Sequence, residues 1–108
     1  MKVVKWSEFR ERLLSEGFVE LDDLRIELTL DNTFMDIEYI PRIAVYSNRT
    51  KRWYVLRNPI KPGERLDEGW KNAVEVLKKI ISGEVQPDLN DPDLEIEFVE
   101  SLRKYVEL

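Results

Sequence analysis

Ile43-Ala44-Val45-Tyr46-Ser47 and Arg52-Trp53-Tyr54-Val55-Leu56-Arg57, separated by Asn48-Arg49-Thr50-Lys51, form the stretch on which the fold turns. Both runs are rich in β-branched and aromatic residues and the four between them are polar, which predicts an antiparallel hairpin. Two registers are open. An even-length loop sets Tyr46 opposite Trp53, gathering Arg42, Tyr46, Trp53 and Arg57 on one face and Ile43, Val45, Tyr54 and Leu56 on the other. A loop longer or shorter by one residue unites Ile43, Val45, Trp53 and Val55 as core. Because strand side chains alternate, this single step decides which aromatic meets water.

Upstream, Ile26, Leu28 and Leu30 alternate with Arg25, Glu27 and Thr29, so about 24–30 reads as a half-buried strand. Asp31-Asn32 is a turn signal. A second alternating run lies in Phe34 to Ile40, with Met35, Ile37 and Tyr39 opposite Asp36 and Glu38, and Pro41 ends it or forces an edge or bulge. Before these strands a helix is signalled at about 7–16. Ser7 can cap it, Glu8 and Glu11 suit its positive end, Phe9 and Leu13 lie four apart, and Gly17 suits a left-handed exit.

Downstream, Asn58 to Gly63 is a proline-containing loop that stops the sheet. Leu66, Trp70, Ala73, Val74, Leu77, Ile80 and Ile81 then recur with helical spacing until Ser82-Gly83, which predicts a helix over 66–82. Residues 84–93 form an acidic connector. Asp91-Pro92-Asp93 has the form of a helix start, and Leu94, Phe98, Val99, Leu102, Tyr105 and Val106 make one stripe of a final helix. Leu94 to Phe98 also alternates as a strand does, so 94–98 fits either form.

The expected fold class is therefore α+β: an antiparallel meander of three to four strands packed against two or three helices, in the order α-β-β-β-β-α-α. A chain of 108 residues suits a single two-layer domain over 1–108. Over about 7–82, the order of helix, three strands and helix resembles double-stranded RNA-binding domains and the HicA-type toxin family, on Leu13-Leu14-Ser15-Glu16-Gly17-Phe18, the strands and Leu66 to Ile80. The toxins' catalytic His has no counterpart in a chain without His. Where the RNA-binding domains carry a lysine cluster, this chain has Glu64-Arg65-Leu66-Asp67-Glu68, so the resemblance carries neither activity nor site residues.

The absence of Cys and His removes disulfides, Cys/His zinc sites, thiol nucleophiles and imidazole-based triads. The four glycines, Gly17, Gly63, Gly69 and Gly83, are scattered and form no phosphate-binding loop. Asp31, Asp36 and Glu38, Asp22-Asp23, and the run Asp88, Asp91, Asp93, Glu95 and Glu97 are better read as solvated acids than as metal ligands. The expectation is a non-catalytic protein with no cofactor and no metal. No apolar run approaches the ~18 residues of a membrane span, and the N-terminal residues carry no long apolar signal segment, so a cytoplasmic setting is expected. The 36% charged residues and the scarcity of Gln are thermophile-like.

Net charge is −5, unevenly laid out. Residues 1–41 sum to −5, residues 42–63 to +6 with no acid, and residues 64–108 to −6. Two surfaces follow. The basic, aromatic hairpin 42–61 offers Arg42, Tyr46, Arg49, Lys51, Arg52, Trp53, Tyr54, Arg57 and Lys61 to nucleic acid, through phosphate contacts and base stacking. The final apolar stripe offers Phe98, Leu102 and Tyr105 to a protein partner or a second copy. Overall acidity favours the protein-interaction class, an adaptor or regulator domain, over nucleic-acid binding.

Overall fold

The computed structural model describes residues 2–31 and 40–108, in the order β1 (Val4–Lys5), α1 (Trp6–Glu16), β2 (Phe18–Leu21), β3 (Leu24–Asp31), β4 (Ile40–Ser47), β5 (Arg52–Val55), α2 (Leu66–Ser82), α3 (Pro92–Tyr105) and β6 (Val106–Glu107). The α+β class and the order of helices and strands are as the sequence predicts. β2 to β5 form one antiparallel sheet in chain order, and β1 pairs with β6 as a small parallel sheet joining the two ends of the described chain.

The four strands are not all those read from the sequence. β2 is not among the strands read from the sequence, and the predicted run Phe34 to Ile40 lies, apart from Ile40, outside the described residues together with Asn32 of the turn. β2 is short, but Val19 and Leu21 alternate inward with Phe18 and Glu20 outward, and Asp22 takes a positive φ of 51° to turn the chain into β3. Asx residues tolerate this left-handed conformation better than most.

Pro41 sits inside β4, opposite Leu30, where β4 has no described neighbour on its β5 side, which is the edge position among the expected alternatives. The ladder explains why. Asn48 N–H donates to the Asp23 carbonyl, so alternate residues of β4 from Asn48 back to Ile40 bond to β3, while Leu56 N–H donating to Ile43 sets the opposite alternation toward β5. Pro41 belongs to the β5-facing set, and β5 has ended before reaching it. Its missing N–H breaks no rung.

α1 begins one residue earlier than predicted and Ser7 does not cap it. The N-cap is Lys5, without a side-chain cap, because β1 runs straight into a helix whose first residue, Trp6, is buried against Phe9 with ring centroids 5.7 Å apart. Gly17 leaves α1 at φ 87°, as expected. α2 spans the predicted residues and Gly83 stops it at φ 83°. For 94–98 the helix prevails. Asp91 Oδ1 accepts the Leu94 N–H, Pro92 occupies the first turn, and Leu94, Phe98, Leu102 and Tyr105 are buried while Ile96 is exposed. A strand would have exchanged that continuous apolar face for alternation, and each large side chain buried contributes about 1.5–3 kcal/mol. The connector accordingly stops at Asp91, and α3 takes up Pro92 and Asp93.

All three helices contribute to one core with the inner face of the sheet: Phe9 and Leu13, Leu77 and Ile80, and Phe98 and Leu102 meet Leu21, Ile26, Ile43, Val45 and Leu56. α2 approaches β4 closely at one point, where a Cβ on buried Gly69 would lie 2.6 Å from the ring Cγ of Pro41. That ring cannot swing aside as a flexible side chain would. Gly69→Ala should therefore destabilise the domain despite the ~1 kcal/mol that alanine gains within a helix, since overpacking costs about 1–3 kcal/mol. Thermal unfolding checks this: a lower Tm is expected, and a Tm at or above the wild-type value would contradict the close approach.

Candidate functional site on the outer face and free edge of the sheet

The hairpin adopts the even-loop register, with Tyr46 opposite Trp53 and Val45 opposite Tyr54. Ser47 closes the turn from the buried side, its Oγ accepting the Thr50 N–H, and Lys51 takes the positive φ of 59° that completes it. The 46/53 pair is a non-hydrogen-bonded one by the ladder alternation, which brings its side chains close. Accordingly the two rings lie 5.1 Å apart at 49°, and Trp53 remains 54% exposed. This exposure is unusual for so large an apolar side chain and centres the candidate surface.

Around the pair, the outward residues are Phe18 and Glu20 on β2, Arg25, Glu27 and Thr29 on β3, Arg42 and Ala44 on β4, and Val55 on β5. Charge on this face is largely balanced. Arg25 lies 3.5 Å from Glu20 and 3.2 Å from Glu27, with its guanidinium 4.0 Å above the Phe18 ring. Arg42 donates to the Asn58 carbonyl.

The predicted nucleic-acid residues do not form one surface. Arg42, Tyr46 and Trp53 share the outer face. Tyr54 turns to the core side, half-buried, its hydroxyl bonded to Thr50. Arg49 reaches Glu97 of α3 at 3.4 Å. Lys51, Arg52, Arg57 and Lys61 are exposed and have no ion pair among the described residues, with Lys51 and Arg52 before Trp53 and Arg57 and Lys61 beyond β5.

Phe98 and Leu102 are fully buried and Tyr105 is 6% exposed, so the apolar stripe of α3 is spent on this chain's own core and is not presented to a partner. The Tyr105 hydroxyl donates to Asp22 Oδ1 at 2.6 Å, and Lys104 lies 3.6 Å from the same carboxylate, tying α3 to the β2–β3 turn. Most of the second acidic run is likewise engaged. Asp91 caps α3, Glu95 accepts the Leu89 N–H, and Glu97 meets Arg49. Of the other acids considered, Asp36, Glu38 and the Asp31 side chain lie outside the described residues, among which no cluster has the makings of a metal site.

Sequence reasoning missed two parts of this surface. One is the Phe18–Arg25 contact, because β2 was not recognised; the Val19/Leu21 alternation was its only signal. The other is the outward backbone of β5, since which residues of a strand lack partners depends on ladder phase and strand order. Comparison with protein-family models, curated proteins and solved structures finds no match for this chain. No helix among the described residues is long and apolar enough to cross a membrane.

Two predictions follow from the burial of the stripe and the Asp22 contact. Phe98→Ser combined with Leu102→Ser should abolish folding, because each truncation removes about 2–5 kcal/mol from a domain whose whole stability is of order 5–15 kcal/mol. Circular dichroism and size-exclusion chromatography check this; a folded variant altered only in oligomeric state would make the stripe an interface. The Tyr105 hydrogen bond, aided by Lys104, holds Asp22 below its ordinary carboxylate value. Its contribution is complete above the ordinary carboxylate value of 3.8 and is lost as pH falls through the lower folded value. Asp22→Asn should thus have a shallower fall in Tm below about pH 4 than the wild type, whereas parallel profiles would contradict the linkage.

Proposed function

We propose that this is a non-catalytic interaction domain of adaptor or regulator type, working in the cytoplasm, which engages a protein partner through the outer face of its sheet around Tyr46 and Trp53. The observation that carries this reading is the exposed Trp53 ring braced on Tyr46. Aromatic side chains seated in a well-supported position supply large contact area with little ordering cost, and they recur at the energetic centres of protein interfaces. The balanced charge beside them, with Arg25 held between Glu20 and Glu27, suits the mixed chemistry of a protein surface. With the α3 stripe buried, the outer face takes its place as the proposed contact surface.

Nucleic-acid binding is the second reading, favoured by the same exposed Trp53 together with Lys51, Arg52, Arg57 and Lys61. Against it stand the carboxylates of Glu20 and Glu27 on the same face and the pairing of Arg49 with Glu97, which interrupt a continuous phosphate track.

Two measurements separate the readings. Immobilised wild-type chain should retain a protein from extracts of its native source, and Trp53→Ala should lose it while remaining folded by circular dichroism, since losing the ring contact with Tyr46 costs only about 0.5–1.5 kcal/mol. Titration with labelled single- and double-stranded RNA and DNA at about 50 and 200 mM salt should give no steeply salt-dependent anisotropy change. Such a change, with quenching of tryptophan emission and its loss in a Lys51→Glu/Arg52→Glu variant, would replace the protein reading with the nucleic-acid one.

A further inference from the structure

β5 is the last strand of its sheet, and the phase of its ladder says which backbone groups it leaves open. The bond from Leu56 N–H to the Ile43 carbonyl turns Leu56, Tyr54 and Arg52 toward β4. Trp53, Val55 and Arg57 therefore direct their N–H and C=O groups away from the sheet. Of these, the Arg57 N–H is used: it donates to the Asp88 carbonyl at 2.8 Å. Asn58 fastens the same segment, its Nδ2 donating to the Gln86 carbonyl and its Oδ1 accepting the Asp88 N–H, each at 2.8 Å. The chain's own acidic connector thus already lies against one end of this edge, and no described residue bonds to the backbone of Trp53 or Val55 in the same way.

We infer that the outward edge of β5 at Trp53 and Val55 receives an extended acidic peptide segment of a partner protein as an added strand. The inference rests on the protein-partner reading above and specifies its chemistry. Backbone pairing at Trp53 and Val55 supplies the register, as in other strand additions to sheet edges. Charge complementarity supplies the selection. Lys51 and Arg52 stand at one end of the open positions and Arg57 and Lys61 at the other, exposed and without carboxylate partners among the described residues. An added strand with acidic residues toward its ends would meet them, and an apolar residue between would cover the Trp53 ring. The same cations argue against a second β5 as the occupant, because edge-to-edge pairing of two copies would set like charges together, a common guard of exposed edges.

The test is selection of random nonapeptides displayed against the intact wild-type chain, followed by titration of the synthetic winners. Acidic sequences with a β-branched or aromatic centre should be enriched. N-methylation of alternate peptide amides should weaken them at least tenfold, as should the pair Arg52→Glu and Arg57→Glu. Val55→Pro, which removes an outward N–H where the sheet does not need it, should also weaken binding while leaving the circular dichroism spectrum unchanged. Winners without acidic bias, or none, would overturn the inference even if capture of a protein through Trp53 succeeds. Winners lost in Trp53→Ala but indifferent to Val55→Pro and N-methylation would place binding on the outer face alone, sparing the broader reading and overturning the added strand. Salt-dependent nucleic-acid binding abolished by Arg52→Glu and Arg57→Glu would overturn both.

Discussion

The pairing of Tyr46 with Trp53 across β4 and β5 assigns every neighbouring side chain to core or solvent. With that register, Ile43, Val45 and Leu56 enter the core, while Trp53 is left outside on the Tyr46 ring. A shift by one residue would turn Trp53 and Val55 inward and Tyr54 and Leu56 outward, taking the fully buried Leu56, worth about 1.5–3 kcal/mol, out of the core and forcing the larger Trp53 ring into its place. The buried Ser47, closing the turn through its hydroxyl, and the positive φ of Lys51 hold the loop at the length that this register requires. The surface proposed for function is thus a by-product of the constraint that builds the core.

The same alternation organises the rest of the sheet. It lets Pro41 lie within β4, because the N–H it lacks would have faced a position β5 does not reach, and it thereby frees that ring to meet Gly69 of α2. It leaves the outward backbone of Trp53 and Val55 at an edge where the connector occupies only the Arg57 position. Charge follows a related division. Residues 1–41 and 64–108 are each net acidic, while residues 42–63 carry six cations and no acid, and Lys51, Arg52, Arg57 and Lys61 among them have no ion pair among the described residues, so a net acidic protein presents a locally basic edge.

Periodicity was enough to read α2, the approximate extents of α1 and α3, the strand of Ile26 and Leu28, and the hairpin with its two candidate registers. What escaped it has physical causes. β2 holds one alternating pair, Val19 and Leu21, too brief to outweigh the neighbouring turn signals. β1 and β6 are two residues each and exist only because the fold brings Val4 beside Val106. The choice of helix for 94–98 depended on the Asp91 cap and on a core that accepts Leu94 and Phe98 together. For the candidate site, composition identified the basic and aromatic residues but not their grouping. Arg49 was drawn off by Glu97 and Tyr54 by the core side of the sheet, neither of which a linear sequence displays.

Residue-resolved amide hydrogen exchange of the free protein tests the central claim, the ladder phase of β5, most directly. The account predicts slow exchange at Tyr54 and Leu56, whose N–H groups bond to β4, and fast exchange at Trp53 and Val55, whose N–H groups face outward. Protection at Trp53 and Val55 with fast exchange at Tyr54 and Leu56 would mean the opposite phase, and would remove both the exposed aromatic pair and the open backbone positions at Trp53 and Val55.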